Sequence, residues 1–102
     1  MVSIDLSEKT AVVTGASQGL GLMTANLLHA AGANVVLNFF DDPDGKNGGN
    51  ARAAAEGLGD RAEAIAGDVR NPDSVNSLLD QAGERFGEID IVVNNAAILR
   101  DR

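Results

Sequence analysis

Residues Thr14 to Gly21 read TGASQGLG, and this stretch brings three glycines, Gly15, Gly19 and Gly21, directly behind the apolar run Ala11-Val12-Val13. A continuous β-branched run of that length suits a strand buried on both faces. The residues beyond the glycines change period. Leu20, Met23, Leu27, Leu28 and Ala31 are spaced i, i+3, i+7, i+8 and i+11, predicting a helix over 20–31 with that stripe as its apolar face. Gly32 then stands where a left-handed C-terminal cap belongs. A strand, a glycine-rich turn and a helix in immediate succession form the start of a βαβ unit.

The alternation continues along the chain. Val35-Val36-Leu37, Ala62 to Ile65 and Ile89 to Val93 supply three further strand candidates. Asp41 to Gly49, DDPDGKNGG, reads as a polar Pro/Gly loop. Asn50 to Leu58 reads as an alanine-rich helix. Val75, Leu78, Leu79, Ala82 and Phe86 form a clear helical stripe closed by Gly87. Asn71-Pro72-Asp73 offers that helix a cap, a first-turn proline and an early acid. The order βαβαβαβ predicts an α/β fold, a doubly wound parallel sheet. Right-handed crossovers that first move outward and then return past strand one give the strand order 3-2-1-4. Helix 73–86 then lies on the face opposite the other two. The chain reverses direction between strands one and four, and open α/β sheets bind ligands at that switch point, beyond the carboxyl ends of the strands.

TGASQGLG sits at the predicted switch point. A helix N-terminus presents unpaired N–H groups and a partial positive charge, which suit an anion. Gly15 allows a tight turn, Gly19 a close approach of backbone to ligand, and Gly21 close packing of the helix on the sheet. The spacing G-x-x-x-G-x-G lacks the Gly-Lys-Ser/Thr of a Walker loop, which argues against ATP or GTP hydrolysis.

Composition narrows the classes further. The chain has 102 residues, 44% of them apolar, enough for one domain with a real core, here residues 1–102. Its formal charge of −7 disfavours general nucleic-acid binding and acidic membrane surfaces. It has no cysteine, so disulfides and thiolate metal sites are excluded; His29 is its one histidine, so a multi-histidine metal site is excluded as well. MVSIDLSEKT has neither the basic start nor the apolar centre of a signal peptide, and the expected location is cytoplasmic.

Here the chain resembles the short-chain dehydrogenase/reductase family. TGASQGLG looks like that family's cofactor loop, T-G-x-x-x-G-x-G, and two further motifs stand in matching order: Gly67-Asp68-Val69 after strand three, and Asn94-Asn95-Ala96-Ala97 after strand four. The resemblance covers essentially the whole chain and implies a Rossmann-type fold that binds NAD or NADP. It implies that Gly15, Ser17, Gln18, Gly19, Leu20 and Gly21 form the pyrophosphate loop. Asp68 would accept from the adenine amino group and Val69 would donate its backbone N–H to the ring. Asn94 would tie strand four to neighbouring loops, and Ala96 would flank the adenosine ribose. Ala97 departs from the family's usual glycine.

The position that discriminates the two cofactors falls at Phe39 on the family's pattern. Asp41 and Asp42 lie where an acid would meet a ribose 2′-hydroxyl, and Gln18 stands where NADP-using members often carry a cation. These residues favour NAD. The family's chemistry, a hydride exchanged between nicotinamide and an alcohol or ketone, needs a serine and a Tyr-x-x-x-Lys pair. This chain has no tyrosine, so no catalytic residue is assigned within it. It reads as the cofactor-binding N-terminal half of the family's domain and is expected to be inactive alone. The alternative is a stand-alone nucleotide-binding or interaction module. Arg100-Asp101-Arg102 resembles ketoacyl-reductase and hydroxyacyl-dehydrogenase members. Strand four is expected to be an exposed edge, so that the chain forms a homo-oligomer or associates with the remainder of such a fold.

Overall fold

A computed structural model of the chain describes residues 4–95. The elements run β1 (Thr10–Val13), α1 (Gly19–Ala30), β2 (Asn34–Phe39), α2 (Lys46–Leu58), β3 (Ala62–Ala66), α3 (Pro72–Phe86) and β4 (Ile91–Val93). All pairings are parallel and the sheet order is β3-β2-β1-β4, as expected. The register sets Val12 beside Val36 and Val92, and Val13 beside Leu37 and Val93. Successive side chains on a strand point to opposite faces, so two cores form. Val13, Val35 and Leu37 pack with Ala25, Leu22 and Leu28 of α1 and Ala54, Ala55 and Leu58 of α2. Val12, Val36 and Ile65 pack with Leu78, Ala82, Leu79 and Phe86 of α3. The helix that returns past strand one therefore covers the other face.

The α3 signals act as expected. Asn71 Oδ1 accepts from the backbone N–H groups of Asp73 and Ser74, and Gly87 ends the helix with a positive φ of +89° that favours glycine. Gly32 likewise has φ +109° after α1.

Three expectations need correction. The α1 face that meets the sheet is not the one read from periodicity: Leu20, Met23 and Leu27 are 61%, 57% and 66% exposed, while Gly21 and Ala25 are buried. Small residues face the sheet because the helix lies close upon it, and larger side chains at 21 and 25 would hold it away. Second, α2 begins at Lys46, inside the expected loop, so only residues 40–45 are irregular. Gly45 takes left-handed backbone at the cap, and Asp42 Oδ1 accepts the Asn47 N–H. Gly48 is buried where a Cβ would sit 3.1 Å from the Phe39 ring. The glycines there serve packing and a left-handed cap within a helix start. Third, β4 begins at Ile91. Ile89 belongs to the α3-side core, and Asp90 Oδ2 accepts the Thr10 N–H. The acid therefore satisfies a backbone donor on β1.

Among the described residues no helix is long and apolar enough to cross a membrane.

Candidate functional site at the carboxyl end of the sheet

β1 delivers the loop 14–18 to the reversal between β1 and β4. Two tethers set its height. The Ala16 N–H donates to the Asn38 carbonyl on β2, and the Thr14 N–H donates to the Val93 carbonyl on β4. Gly15 and Gly19 have φ of +61° and +60°, a region that L side chains avoid. Gln18 is the α1 N-cap, its side chain makes no capping hydrogen bond, and the first turn carries no acid. Helix geometry leaves the N–H groups of Gly19, Leu20 and Gly21 without intrahelical partners. A Cβ at Gly19 would meet nothing within 4 Å, so the space beside Gly19 is open. At Gly21 a Cβ would overlap the Gly15 carbonyl oxygen and lie 2.8 Å from Asn95 Nδ2. Gly21 thus lets the helix pack against its own loop.

Ser17 is buried, and its hydroxyl lies 3.3 Å from Asn47 Oδ1 on α2. Asn94 is within hydrogen-bond distance of the Thr14 hydroxyl, 3.4 Å. Its neighbour Asn95 donates from Nδ2 to the Gly15 carbonyl at 3.2 Å. Sequence reading singled out Asn94; Asn95, the second asparagine of the same pair, is the one that holds the glycine turn. Ala96, Ala97 and Arg100–Arg102 lie outside the described residues.

The far end of the site lies past β2 and β3. Asn38, 1% exposed, donates from Nδ2 to the carbonyls of Ile65 and Gly67, both at 3.2 Å, and so fixes the start of the loop that carries Asp68. Ser74 on α3 makes a 2.7 Å hydrogen bond with the Asp68 backbone nitrogen. Phe40, Asp41, Ala66, Gly67, Asp68 and Ser74 line an open depression. Phe39 does not reach it: its ring is buried beside Gly48, with the Arg52 guanidinium 5.1 Å from its centroid. Phe40 supplies the exposed ring instead.

Asp68 is not free. Arg70 Nε donates to its Oδ1 and Arg70 Nη2 to its Oδ2, both at 3.0 Å, and the Arg70 backbone N–H also donates to Oδ1. The side-chain bonds, then the backbone bond, hold the Asp68 carboxyl below the usual carboxylate range, so it is an ionised acceptor near neutral pH. The same guanidinium lies 5.4 Å from the Phe40 centroid. Val69 follows directly and is partly buried. No group of three metal-ligating side chains occurs among the described residues.

Residues 9–102 match the family model described as short chain dehydrogenase. The chain belongs to this family. Similar relatives include 3beta-hydroxysteroid dehydrogenase 1 of Eggerthella lenta, 44% identical over 92% of this chain and 35% of that protein. The 3-oxoacyl-[acyl-carrier-protein] reductase FabG of Vibrio cholerae is 39% identical over 96% of this chain and 38% of its own. A crystal structure of a short-chain dehydrogenase/reductase from Brucella melitensis, named glucose/ribitol dehydrogenase, superposes with a TM-score of 0.76 at 34% identity. It is matched over 89% of this chain and 37% of its own. The chain spans little more than a third of the length of these relatives. Short-chain dehydrogenase motifs and the observed switch point coincide: the glycine loop, the Asp68 loop and Asn94-Asn95 meet at one end of one sheet.

Proposed function

We propose that the chain binds NAD(H) across the carboxyl ends of its strands, as the cofactor-binding part of an oxidoreductase acting on an alcohol/ketone pair. The observation that carries this reading is the open space at Gly19 on the uncapped α1 N-terminus at the switch point, with an ionised acceptor, Asp68, on the far side of β2. The backbone N–H groups of Gly19 to Gly21 suit a diphosphate. Asp68 suits an adenine amino group, and the N–H of Val69 a ring nitrogen. Leu20, exposed beside the loop, suits an apolar wall on the nicotinamide side. A bound dinucleotide supplies the hydride carrier. The hydroxysteroid and oxoacyl names of two relatives denote a secondary alcohol and a ketone, and a hydroxyacyl or ketoacyl substrate fits that class.

Local charge favours NAD over NADP. Asp41 and Asp68 line one depression, Asp42 follows Asp41 in the chain, Gln18 is neutral, and Arg70 is already engaged by Asp68. A 2′-phosphate would meet excess negative charge. With no tyrosine in the chain, the proton transfer that accompanies hydride movement in this family has no donor here, and turnover by the chain alone is not expected. The second reading is a nucleotide-binding module without catalysis; the family motifs favour the first. Fluorescence titration with NADH and NADPH, followed by assay against alcohols and ketones, tests these statements. NADH should bind more tightly than NADPH, without turnover. Absence of NADH binding would sink the cofactor reading, and turnover that tracks the chain through purification would sink the claim of inactivity.

Association is part of the same proposal. Among the described residues β4 is an outer strand, and Val92 on its α3 side is 58% exposed. An open strand edge is a template for another strand. Sedimentation at dilute concentration should show self-association or instability, and hydrogen exchange at Ile91–Val93 should be fast in the monomer and slow down as the chain associates. A protected monomer would contradict this expectation.

A further inference from the structure

Arg70 joins three things that are apart in sequence: Phe40 at the end of β2, Asp68 after β3, and the depression between them. The Arg70 side chain is 74% exposed and that of Asp68 32%. An ion pair this open adds little to stability, so its geometry calls for another account. The pair is bidentate, and the plane of the guanidinium is further limited by the Phe40 ring. A carboxylate offers about two acceptor sites on each oxygen. Oδ1 already accepts from the Arg70 backbone N–H and from Nε, whereas Oδ2 accepts only from Nη2.

We propose that Arg70 sets base specificity at the adenosine end: by clamping Asp68 while its guanidinium lies over Phe40, it leaves Oδ2 alone able to take a further donor, and so selects a purine with a 6-amino group. The inference rests on the cofactor reading above and adds a residue and a selectivity to it. A 6-oxo purine would turn an acceptor toward a carboxylate that is kept ionised and cannot rotate away. Without Arg70 the carboxylate regains its rotation, and the two bases become harder to tell apart. Arg70 is a positioning residue here, acting through Asp68.

The test compares NADH with reduced nicotinamide hypoxanthine dinucleotide, which carries oxygen in place of the 6-amino group and a proton on N1; the N1 change is common to every variant, so the change in preference from wild type to variant is what reports on Arg70. Both are titrated into the full chain, the wild type beside Arg70→Ala and Arg70→Lys, with far-UV circular dichroism confirming the fold of each. Wild type should prefer NADH by about tenfold, the scale of one charge-assisted hydrogen bond near water. Arg70→Ala should reduce that preference to about twofold, and Arg70→Lys, which keeps the charge but not the fork, should fall between. An equal loss for both dinucleotides would show that Arg70 merely buttresses the surface and would overturn the proposal. So would a wild-type preference that survives Arg70→Ala, or a selective loss of NADPH binding with the base preference unmoved, which would make Arg70 a phosphate ligand. Wild type that binds neither dinucleotide removes the cofactor reading itself. Wild type that binds both equally removes only this inference.

Discussion

Gly21→Ala is expected to be the most damaging single-methyl change in the described chain. Its Cβ would overlap the Gly15 carbonyl oxygen and crowd Asn95 Nδ2 at 2.8 Å. Neither neighbour can yield easily. The Gly15 carbonyl belongs to a turn in left-handed backbone and accepts from Asn95, and α1 is pinned by Ala25 in the core. Overpacking of this kind costs about 1–3 kcal/mol, and more where backbone must move. That is a sizeable share of the roughly 5–15 kcal/mol that holds a domain together. The melting temperature should fall by about 10–20 °C, given roughly 4–8 °C per kcal/mol in a domain near this size. NADH affinity should fall with it, since the loop and the helix end move as one. Gly83→Ala is the matching control: it lies within α3, a Cβ there meets nothing within 4 Å, and removing a helical glycine stabilises by about 0.5–1 kcal/mol. Thermal melts of the two variants decide the matter. Equal, small shifts would show that the contact between Gly21 and Gly15 does not constrain the fold.

Gly19→Val should separate binding from folding. Its Cβ points into open space, so the protein offers no clash, but φ is +60° and the space is the one proposed for the diphosphate. Left-handed backbone costs a side chain about 1–2 kcal/mol, which leaves the fold largely intact. NADH affinity should drop by about a hundredfold, equivalent to losing roughly 3 kcal/mol of binding. Gly19→Asn distinguishes the two causes, because asparagine tolerates left-handed backbone while still filling the space. If occupied space is the cause, Asn weakens NADH nearly as much as Val while its melting temperature stays close to wild type. Unchanged NADH affinity in both variants would remove the glycine loop from the cofactor site.

The order of elements, the parallel sheet with order 3-2-1-4, the α3 cap and the glycine loop at the switch point were legible in the sequence. Each rests on short-range chemistry: a run of β-branched residues, a 3.6-residue period, a proline behind an asparagine, glycines between a strand and a helix. The face of α1 was not legible. Periodicity shows that Leu20, Met23 and Leu27 share a stripe, but only the sheet's position shows that Gly21 and Ala25 face it. The start of α2 was hidden for a related reason, since Gly45 and Gly48 look like loop residues until Phe39 and the Asp42 cap are in place. The tethers of the site depend most fully on tertiary structure. Asn95 meets Gly15 across 80 positions and Asn38 meets Gly67 across 29. Arg70 meets the Phe40 ring only because β3 lies beside β2. A local pattern sets which strands and helices form and roughly where they end. Which side chains meet beyond the strand ends follows from parallel crossovers, which carry distant residues to one edge of one sheet.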